Sequence, residues 1–483
     1  MRTIWYMGAK TRLTGEILDA VAAADPRARC VLDLMSGTAA VSQALAGRYR
    51  VVANDVQAYA QAIAAAYLEH DQDPVARFAG LDPERDLGLR YRENQEALLD
   101  LLAPAVALED AYLRAAGLEP EAPDPEVGPV LAGPELPAPR QTLPAGTQDR
   151  ADAYRRFALA QTPAFDEVRD AAARGAFARA AALFRRETIA ARRAAPRAFP
   201  YLLASSYYPN VYLGVRQAVA VDSLRYAIDG LRGRGAAARR THYLAALLHA
   251  TSVTTSATSH FCQPRGLTRD VEVQAVLLRR AQSIPSRLVA YSRSIAATVS
   301  ATPLQQGNRA LQGEWRQALA RWDEVEADVV YADPPYTQDH YSRFYHVLEV
   351  LTRYDYPRLE LRGGQVTKGR YPRLEQRHRS PFCVRSKVEA ELRALIEGVA
   401  ARGAGLVLSY GEENGLLLRT YRDAGLTPAR ALRRFADLAR GVFEEVQLEK
   451  RQLLHSGQGD SNHEVTELLL IGRKPRRRGP GCA

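Results

Sequence analysis

The pattern of apolar and polar residues predicts a parallel sheet that begins near residue 30 and is completed only after residue 322. Val31-Leu32 and Val51-Val52-Ala53 are short apolar runs typical of buried strands, and a helical pattern separates them. A strand–helix–strand unit of this length is typical of a doubly wound α/β sheet. Three later apolar runs predict further strands, at Asp328–Ala332, Gly405–Tyr410 and Val465–Ile471.

Between these two groups of strands the pattern is mainly helical. Gln217–Leu231 and Ala236–Ser252 predict a pair of helices, separated by two glycines that mark the break between them. Eight prolines fall within residues 120–144, among Glu, Asp, Gly and Ala. Because this composition cannot bury a core, it predicts a disordered loop over about 115–150.

The chain is therefore predicted to be an α/β protein with a doubly wound, Rossmann-like sheet and a mainly helical insertion. We expect residues 1–75 and 323–472 to form the sheet and 76–322 to form the insertion. A basic tail is expected at 473–483, where lysine and arginine follow one another.

The charge of the chain favours a polyanionic partner. Its formal net charge is +10, and basic proteins attract nucleic acid because neutralised phosphates release counterions. Eight lysines and arginines, with Glu375 as the single acid, lie between Arg362 and Lys387. This segment predicts contacts to DNA phosphates, although biased codon usage could also produce a basic chain. The candidate phosphate contacts are Arg370, Arg373, Arg377 and Arg379.

Membrane and metal partners are not expected. No apolar run approaches the roughly 20 residues that span a bilayer, and the N-terminus does not resemble a signal peptide. Four cysteines, Cys30, Cys262, Cys383 and Cys482, lie far apart and lack metal-ligand spacing. These features predict a cytoplasmic protein with unpaired thiols and no metal.

The segment Asp333-Pro334-Pro335-Tyr336 follows an apolar strand directly and is the strongest chemical signal. A carboxylate and a rigidly held carbonyl can accept the two N–H bonds of an exocyclic amine and localise its lone pair. The two prolines fix the backbone so that the Pro334 carbonyl can face such an amine. Tyr336 offers a flat face for a base swung out of the duplex. The alternative is a loop in which Pro-Pro ends the strand and Tyr336 covers the core.

Three further segments suit a cofactor site. The turn after the first strand, Asp33-Leu34-Met35-Ser36-Gly37-Thr38, allows a cofactor to approach the backbone, although a generic strand–helix turn looks similar. Asp55 ends the next strand, where a carboxylate can bind ribose hydroxyls or cap a helix. Tyr6-Met7-Gly8-Ala9-Lys10 places an aromatic ring and a cation before the first helix.

As a set and in this order, these segments resemble the DNA adenine-N6 methyltransferases related to Dam. The resemblance covers about residues 4–70, 200–265 and 325–472. It implies an S-adenosylmethionine-dependent enzyme that flips adenine out of double-stranded DNA and reads its target with the helical insertion around 200–265. The resemblance assigns the cofactor to Tyr6, Gly8, Lys10, Asp33, Met35, Ser36, Gly37, Thr38, Asp55 and Asp333, and catalysis to Asp333, Pro334, Pro335 and Tyr336.

The chain departs from the family at two positions of the cofactor turn. Met35 stands where phenylalanine is usual, and Ala39 stands where a second glycine is common. Methionine can still pack on a cofactor and alanine is small, so the departures leave cofactor affinity open and do not predict loss of function.

The alternatives are a methyltransferase acting on the N4 amine of cytosine and a catalytically inactive DNA-binding homologue. Carbon-5 cytosine methylation is excluded because it needs a cysteine, characteristically after proline, and the chain has no Pro-Cys pair. A cognate restriction or phage-defence system is a conceivable partner, and a DNA-modifying enzyme would lie in the cytoplasm with the nucleoid.

Overall fold

The computed structural model describes residues 10–69, 81–121, 146–159, 175–258, 260–301, 307–456 and 462–476. Its strands are β1 (Cys30–Asp33), β2 (Arg50–Asp55), β3 (Arg309–Gln312), β4 (Val329–Ala332), β5 (Leu361–Arg362), β6 (Gln365–Val366), β7 (Gly405–Gly411), β8 (Phe443–Ser456) and β9 (Asn462–Pro475).

The α-helices of the described residues range from one turn to 33 residues in length. Their bounds are Thr14–Ala24, Ala40–Ala46, Ala58–Leu68, Pro83–Ala115, Thr147–Leu159, Arg186–Ala194, Leu203–Tyr207, Val215–Asp229, Ala236–Thr254, Asp270–Arg280, Ile284–Ala301, Trp315–Ala320, Trp322–Val325, Tyr341–Phe344, His346–Arg353, Val388–Ala401, Leu416–Asp423 and Pro428–Arg440.

The chain divides into two compact units. The described residues within 1–74, 299–342 and 378–483 form the sheet unit, and those within 75–298 and 343–377 form the helical unit. The insertion predicted at 76–322 differs from the helical unit at two boundaries. Residues 299–322 belong to the sheet unit, because they contain β3, and residues 343–377 belong to the helical unit.

The sheet unit contains a seven-stranded sheet in the order β3-β2-β1-β4-β7-β9-β8. Neighbouring strands from β3 to β7 are parallel, with Val31 opposite both Val51 and Val329, whereas β9 is antiparallel to β7 and β8. The chain order reverses between β1 and β4, since β2 and β3 lie on one side and the later strands on the other. The predicted doubly wound, Rossmann-like fold is confirmed.

The central strands are mainly apolar because both faces of the sheet are covered. All residues of β1, β4 and β7 are buried. Leu32, Val330 and Leu406 belong to one core cluster with Leu392 and Ile396 of the helix Val388–Ala401. Each such side chain stabilises the fold by about 1.5–3 kcal/mol when it is fully buried.

Two strands of the sheet were absent from the prediction, and both lie at its edges. β3 has only two apolar residues, Ala310 and Leu311, because an edge strand buries little. β8 pairs only with β9 and exposes two glutamates and one lysine to solvent, so its sequence lacks the apolar run that predicts a buried strand. β9 ends at Pro475, so the prediction of a tail from residue 473 is wrong for its first three residues.

The helical unit contains the predicted helix pair, at Val215–Asp229 and Ala236–Thr254. Asp222, in the first of these helices, is fully buried and accepts hydrogen bonds from the backbone N–H groups of Ala204 and Ser205 and from the Tyr354 hydroxyl. Most of the predicted proline-rich loop, residues 122–145, lies outside the described residues.

Two expectations from composition can be compared with the described part of the chain. No helix there is both long enough and apolar enough to cross a membrane. Nor do the described residues contain a group of three or more His, Cys, Asp or Glu side chains that could hold a metal ion.

Candidate active site

An open cavity lies in the sheet unit, at the carboxyl ends of β1 and β4. Asp33 is the last residue of β1 and Asp333 follows β4, so residues 300 positions apart in sequence line one cavity. The strand order reverses between these two strands, and ligands of open α/β sheets bind in the crevice at such a point.

All of the predicted cofactor residues in the described chain line this cavity. They are Lys10, Asp33, Met35, Ser36, Gly37, Thr38, Asp55 and Asp333, together with Pro335 of the predicted catalytic segment. Tyr6 and Gly8 lie outside the described residues. Which of these residues contact a cofactor stays a prediction.

The turn after β1 is held against the end of β2 by hydrogen bonds that its backbone N–H groups donate. The Ser36 N–H donates to the Asn54 carbonyl at 2.9 Å, and the Gly37 N–H donates to the Asp55 carboxylate at 2.9 Å. Gly37 and Ala39 have φ values of 51° and 59°. The left-handed conformation disfavours residues with a Cβ, which explains why glycine suits the position of Ala39.

Asp55 is 8% exposed and joins two loops of the site. One oxygen accepts from the Gly37 N–H, and the other accepts from the Gln57 N–H at 2.8 Å. Burial raises the pKa of Asp55, and these two hydrogen bonds act in the opposite direction. The carboxylate therefore orders the turn and the start of the next helix, and its remaining lone pairs are positioned at the cavity wall.

Asp33 is 1% exposed, and its two oxygens have different surroundings. The Ser42 hydroxyl donates to Oδ2 at 2.5 Å, whereas Oδ1 is buried and has no hydrogen-bond partner among the described residues. Burial raises the pKa of this carboxyl to about 7. A buried carboxylate oxygen in this state is stabilised by a cationic or hydrogen-bond-donating ligand.

Asp333 lies in a buried charge cluster with Lys10 and Glu467. The Lys10 ammonium is 3.0 Å from Asp333 Oδ1 and 3.3 Å from Glu467 Oε1. Burial alone would lower the pKa of Lys10, but the two carboxylates raise it well above its ordinary value, so the ammonium is charged. Burial also raises the pKa of Asp333, and the nearby ammonium opposes that rise.

Tyr336 has a fixed backbone and a half-buried ring. Its carbonyl accepts from the Leu416 N–H at 2.7 Å, and its ring meets the Tyr410 ring edge-to-face with centroids 5.7 Å apart. Lys10 Nζ lies 5.2 Å from the centre of the Tyr336 ring. A Cβ on Gly411 would approach this ring to 3.0 Å. The absence of a side chain at Gly411 therefore leaves room for the Tyr336 ring. The ring is therefore held next to the charge cluster.

Sequence reasoning missed several residues of the site. Trp315 and Phe382 line the cavity with ring centroids 6.3 Å apart, and His378 Nδ1 lies 2.9 Å from Glu314 Oε1 at the cavity wall. Trp315 and Glu314 follow β3, so recognising that strand would have indicated them. Glu467 could have been recognised from the sequence, since it is the one charged residue in the apolar run of β9 and a charge in a buried strand indicates a specific role.

The four predicted phosphate-binding arginines have different environments. In the helical unit, Arg370 is 2% exposed among Tyr207 and its neighbours, and burial lowers its pKa to about 10. We therefore correct the prediction for Arg370, because a guanidinium inside the core cannot reach a phosphate. Arg377 pairs with Glu360 at 2.8 Å. Arg373 is exposed, as is Arg379 of the sheet unit, and their DNA contacts stay predictions.

Comparison with known proteins finds similarity to DNA methyltransferases over parts of the chain. The model of the D12 class N6 adenine-specific DNA methyltransferases matches residues 6–87 and 304–373. Modification methylase LlaI of Lactococcus lactis subsp. lactis is 26% identical over 179 residues, which are 35% of this chain and 25% of that protein. Type II methyltransferase M.FokI of Planomicrobium okeanokoites is 36% identical over 96 residues, which are 20% of this chain and 13% of that protein. The matches thus span a quarter or less of either relative, and no solved structure matches the chain.

Proposed function

We propose that this chain, which is related to the D12 class N6 adenine-specific DNA methyltransferases, transfers a methyl group from S-adenosylmethionine to the N6 amine of adenine in DNA. The observation that carries the proposal is the joint placement of Asp33 and Asp333 on one cavity at the point where strand order reverses. One carboxylate suits a cationic cofactor, and the other suits a hydrogen-bond-donating amine.

The residues around the turn after β1 fit S-adenosylmethionine. The unpartnered Oδ1 of Asp33 suits the α-ammonium group of its methionine part, and Asp55 suits its ribose hydroxyls. Trp315 and Phe382 present aromatic surface that suits its adenine ring. When bound, the cofactor supplies an electrophilic methyl group on a positively charged sulfur.

The residues of Asp333-Pro334-Pro335-Tyr336 would prepare the amine. Asp333 and the Pro334 carbonyl would accept its two N–H bonds, which localises the nitrogen lone pair for an in-line attack on the methyl carbon. The N–C bond would form as the S–C bond breaks, with S-adenosylhomocysteine as the leaving group, and the methylated nitrogen would then release one proton by way of Asp333 to solvent. Tyr336 would stack on the flipped base, whose extrusion the enzyme must favour.

Nucleoside analysis of methylated DNA tests the proposal. The purified chain is incubated with unmethylated duplex DNA and isotope-labelled S-adenosylmethionine, and the digested nucleosides are separated by mass spectrometry. We expect label in N6-methyladenine. Label in N4-methylcytosine alone would assign the amine chemistry to the alternative base. DNA binding without any labelled nucleoside would favour the inactive homologue.

We further propose that exposed basic residues of the helical unit contact DNA phosphates. Arg362, Lys368 and Arg373 are all exposed and lie in the basic segment. Replacing the three with glutamine should weaken binding to every duplex, because phosphate contacts set affinity more than sequence choice. The slope of log affinity against log salt should flatten by up to about 0.9 per lost contact, measured by fluorescence anisotropy.

Arg402→Gln is a matched control for this experiment. Arg402 is exposed and precedes β7, at the edge of the sheet opposite the carboxyl ends that carry the cavity. We expect its salt slope and target sequence to equal those of the original chain. An unchanged slope in the triple variant would contradict the phosphate contacts, and an altered target sequence would assign base reading to this segment.

The proposal extends to the biological setting. Double-stranded DNA is the proposed partner, and the helical unit is proposed to read the target sequence. The names of the two relatives describe a modification methylase and a Type II methyltransferase. By analogy, we propose that this chain acts with a cognate restriction or phage-defence system, in the cytoplasm at the nucleoid.

A further inference from the structure

The charge cluster around Lys10 contains one more carboxylate than a simple ion pair needs. Lys10 and Glu467 each have a side chain only 4% exposed, whereas the Asp333 side chain is 20% exposed at the cavity. Glu467 lies on β9 and also accepts a hydrogen bond from the Ser409 hydroxyl of β7. It is therefore held by a hydrogen bond within the sheet and is less exposed than Asp333.

Glu467, the second carboxylate, changes the net charge of the cluster that contains Asp333. A lone Lys10–Asp333 pair would be neutral, whereas Lys10 with two carboxylates carries a net charge of −1. Two other groups extend this environment: the buried Tyr331 hydroxyl and the Asp33 carboxyl both interact electrostatically with Asp333. Tyr336 also interacts electrostatically with the cluster. Glu467 is thus the charged residue that balances Lys10 without lining the cavity.

The excess negative charge has a consequence for methyl transfer. The positive charge moves from the donor sulfur to the amine nitrogen as the methyl group moves, and it persists on nitrogen until the proton leaves. A carboxylate fully paired with Lys10 would be a weak hydrogen-bond acceptor for that amine. A carboxylate that shares the ammonium with a competitor keeps its basicity and stabilises the developing charge.

We propose that Glu467 is a positioning residue of the reaction, which shares the Lys10 ammonium with Asp333 and so keeps Asp333 a strong acceptor for the target amine. This inference rests on the proposed function. Glu467 acts through Lys10 and has no contact with substrate of its own.

The test measures the pKa of Asp333 directly in the full chain without cofactor or DNA. Aspartate labelled with ¹³C at the side-chain carboxyl is incorporated, and the Asp333 resonance is identified by its absence from Asp333→Asn. Glu467→Gln keeps the size and hydrogen bonding of the side chain but removes its charge. We expect the pKa of Asp333 to fall by about one unit in this variant, since a like charge has been removed.

Lys10→Gln provides the opposite perturbation. Without the ammonium, Asp333 and Glu467 repel each other, so the pKa of Asp333 should rise above its value in the original chain. Glu445→Gln is the control on the neighbouring strand β8, because Glu445 is about half exposed and pairs with Lys474. A fall in Glu467→Gln and a rise in Lys10→Gln, with no change in the control, support the inference. If Glu467→Gln does not fold, Glu467→Asn removes the same charge from a shorter side chain and takes its place in the test, because Lys10→Gln alone does not isolate the contribution of Glu467.

Single-turnover methylation across pH connects this coupling to the reaction. Asp333 must be ionised to accept the amine, so the rate declines as pH falls through its pKa. We expect the midpoint of this decline to move to lower pH in Glu467→Gln and the plateau rate to fall by up to about tenfold, because a weaker base is a weaker acceptor. A purely structural role would lower the rate equally at every pH.

The outcomes separate the two claims. An unchanged pKa of Asp333 in Glu467→Gln, or a shift in the opposite direction, would overturn the role of Glu467 whether or not the chain methylates DNA. Absence of methyl transfer by the original chain, with the expected pKa shifts present, would reject the proposed function and with it the catalytic use of the cluster.

Discussion

Replacing Asp333 with asparagine should reduce the methylation rate by about 10²-fold or more while leaving the fold intact. The carboxylate acts on charge that develops at the amine, and losing such a group commonly costs this much. The fold should tolerate the change because asparagine has nearly the same size and the buried Lys10 ammonium keeps Glu467 as its partner at 3.3 Å. Single-turnover rates, with thermal unfolding as the check of folding, measure the effect.

Asp339→Asn is a suitable comparison for this variant. Asp339 is an exposed aspartate six residues later, whose carboxylate contacts only the neighbouring Thr337 side chain among the hydrogen bonds described. We expect it to methylate DNA at nearly the original rate. A near-normal rate in Asp333→Asn would contradict the assignment of the amine to this carboxylate.

Replacing Asp33 with asparagine should weaken the binding of S-adenosylmethionine by about 10²-fold, within the range expected for the loss of a charged hydrogen bond. Its effect should also depend on pH. Because burial raises the pKa of Asp33 to about 7, a proton competes with the cationic ligand below that pH. Affinity in the original chain should therefore fall as pH decreases through about 7, and this dependence should be reduced in the variant.

Calorimetry on the protein without DNA measures this binding separately from turnover. Asp25→Asn serves as the control. Asp25 follows the first helix at the opposite edge of the sheet, and its carboxylate accepts a hydrogen bond from the Arg27 N–H of the same loop. An affinity of Asp33→Asn equal to that of the original chain would remove Asp33 from the cofactor site. An affinity that increases toward low pH would contradict the proposed charge state.

The strand ends could be predicted from sequence because their physical signal is local. β1 and β4 are short apolar runs, and parallel strands bring their carboxyl ends to the same edge of a sheet. This geometry predicts that the strand-end carboxylates lie near one edge of the sheet, and they are Asp33, Asp55 and Asp333. The turn at Gly37 was also recognisable, since small residues are required where the backbone takes positive φ.

Other features depend on tertiary packing and have no local signal. Arg370 looked like a surface cation in a basic segment, but its side chain fills the core of the helical unit. Trp315 was assigned to the insertion because β3 is too short and polar to be recognised. The role of Glu467 depends on Lys10, which is distant in sequence and meets it only in the folded sheet unit.

Sequencing that detects modified bases tests the central claim most directly, on DNA from cells that produce the original chain or Asp333→Asn. The account predicts N6-methyladenine at one recurring sequence in the first sample and its absence from the second. Modification of cytosine alone, or equal adenine methylation in both samples, would contradict the claim that Asp333 prepares the N6 amine of adenine for methyl transfer.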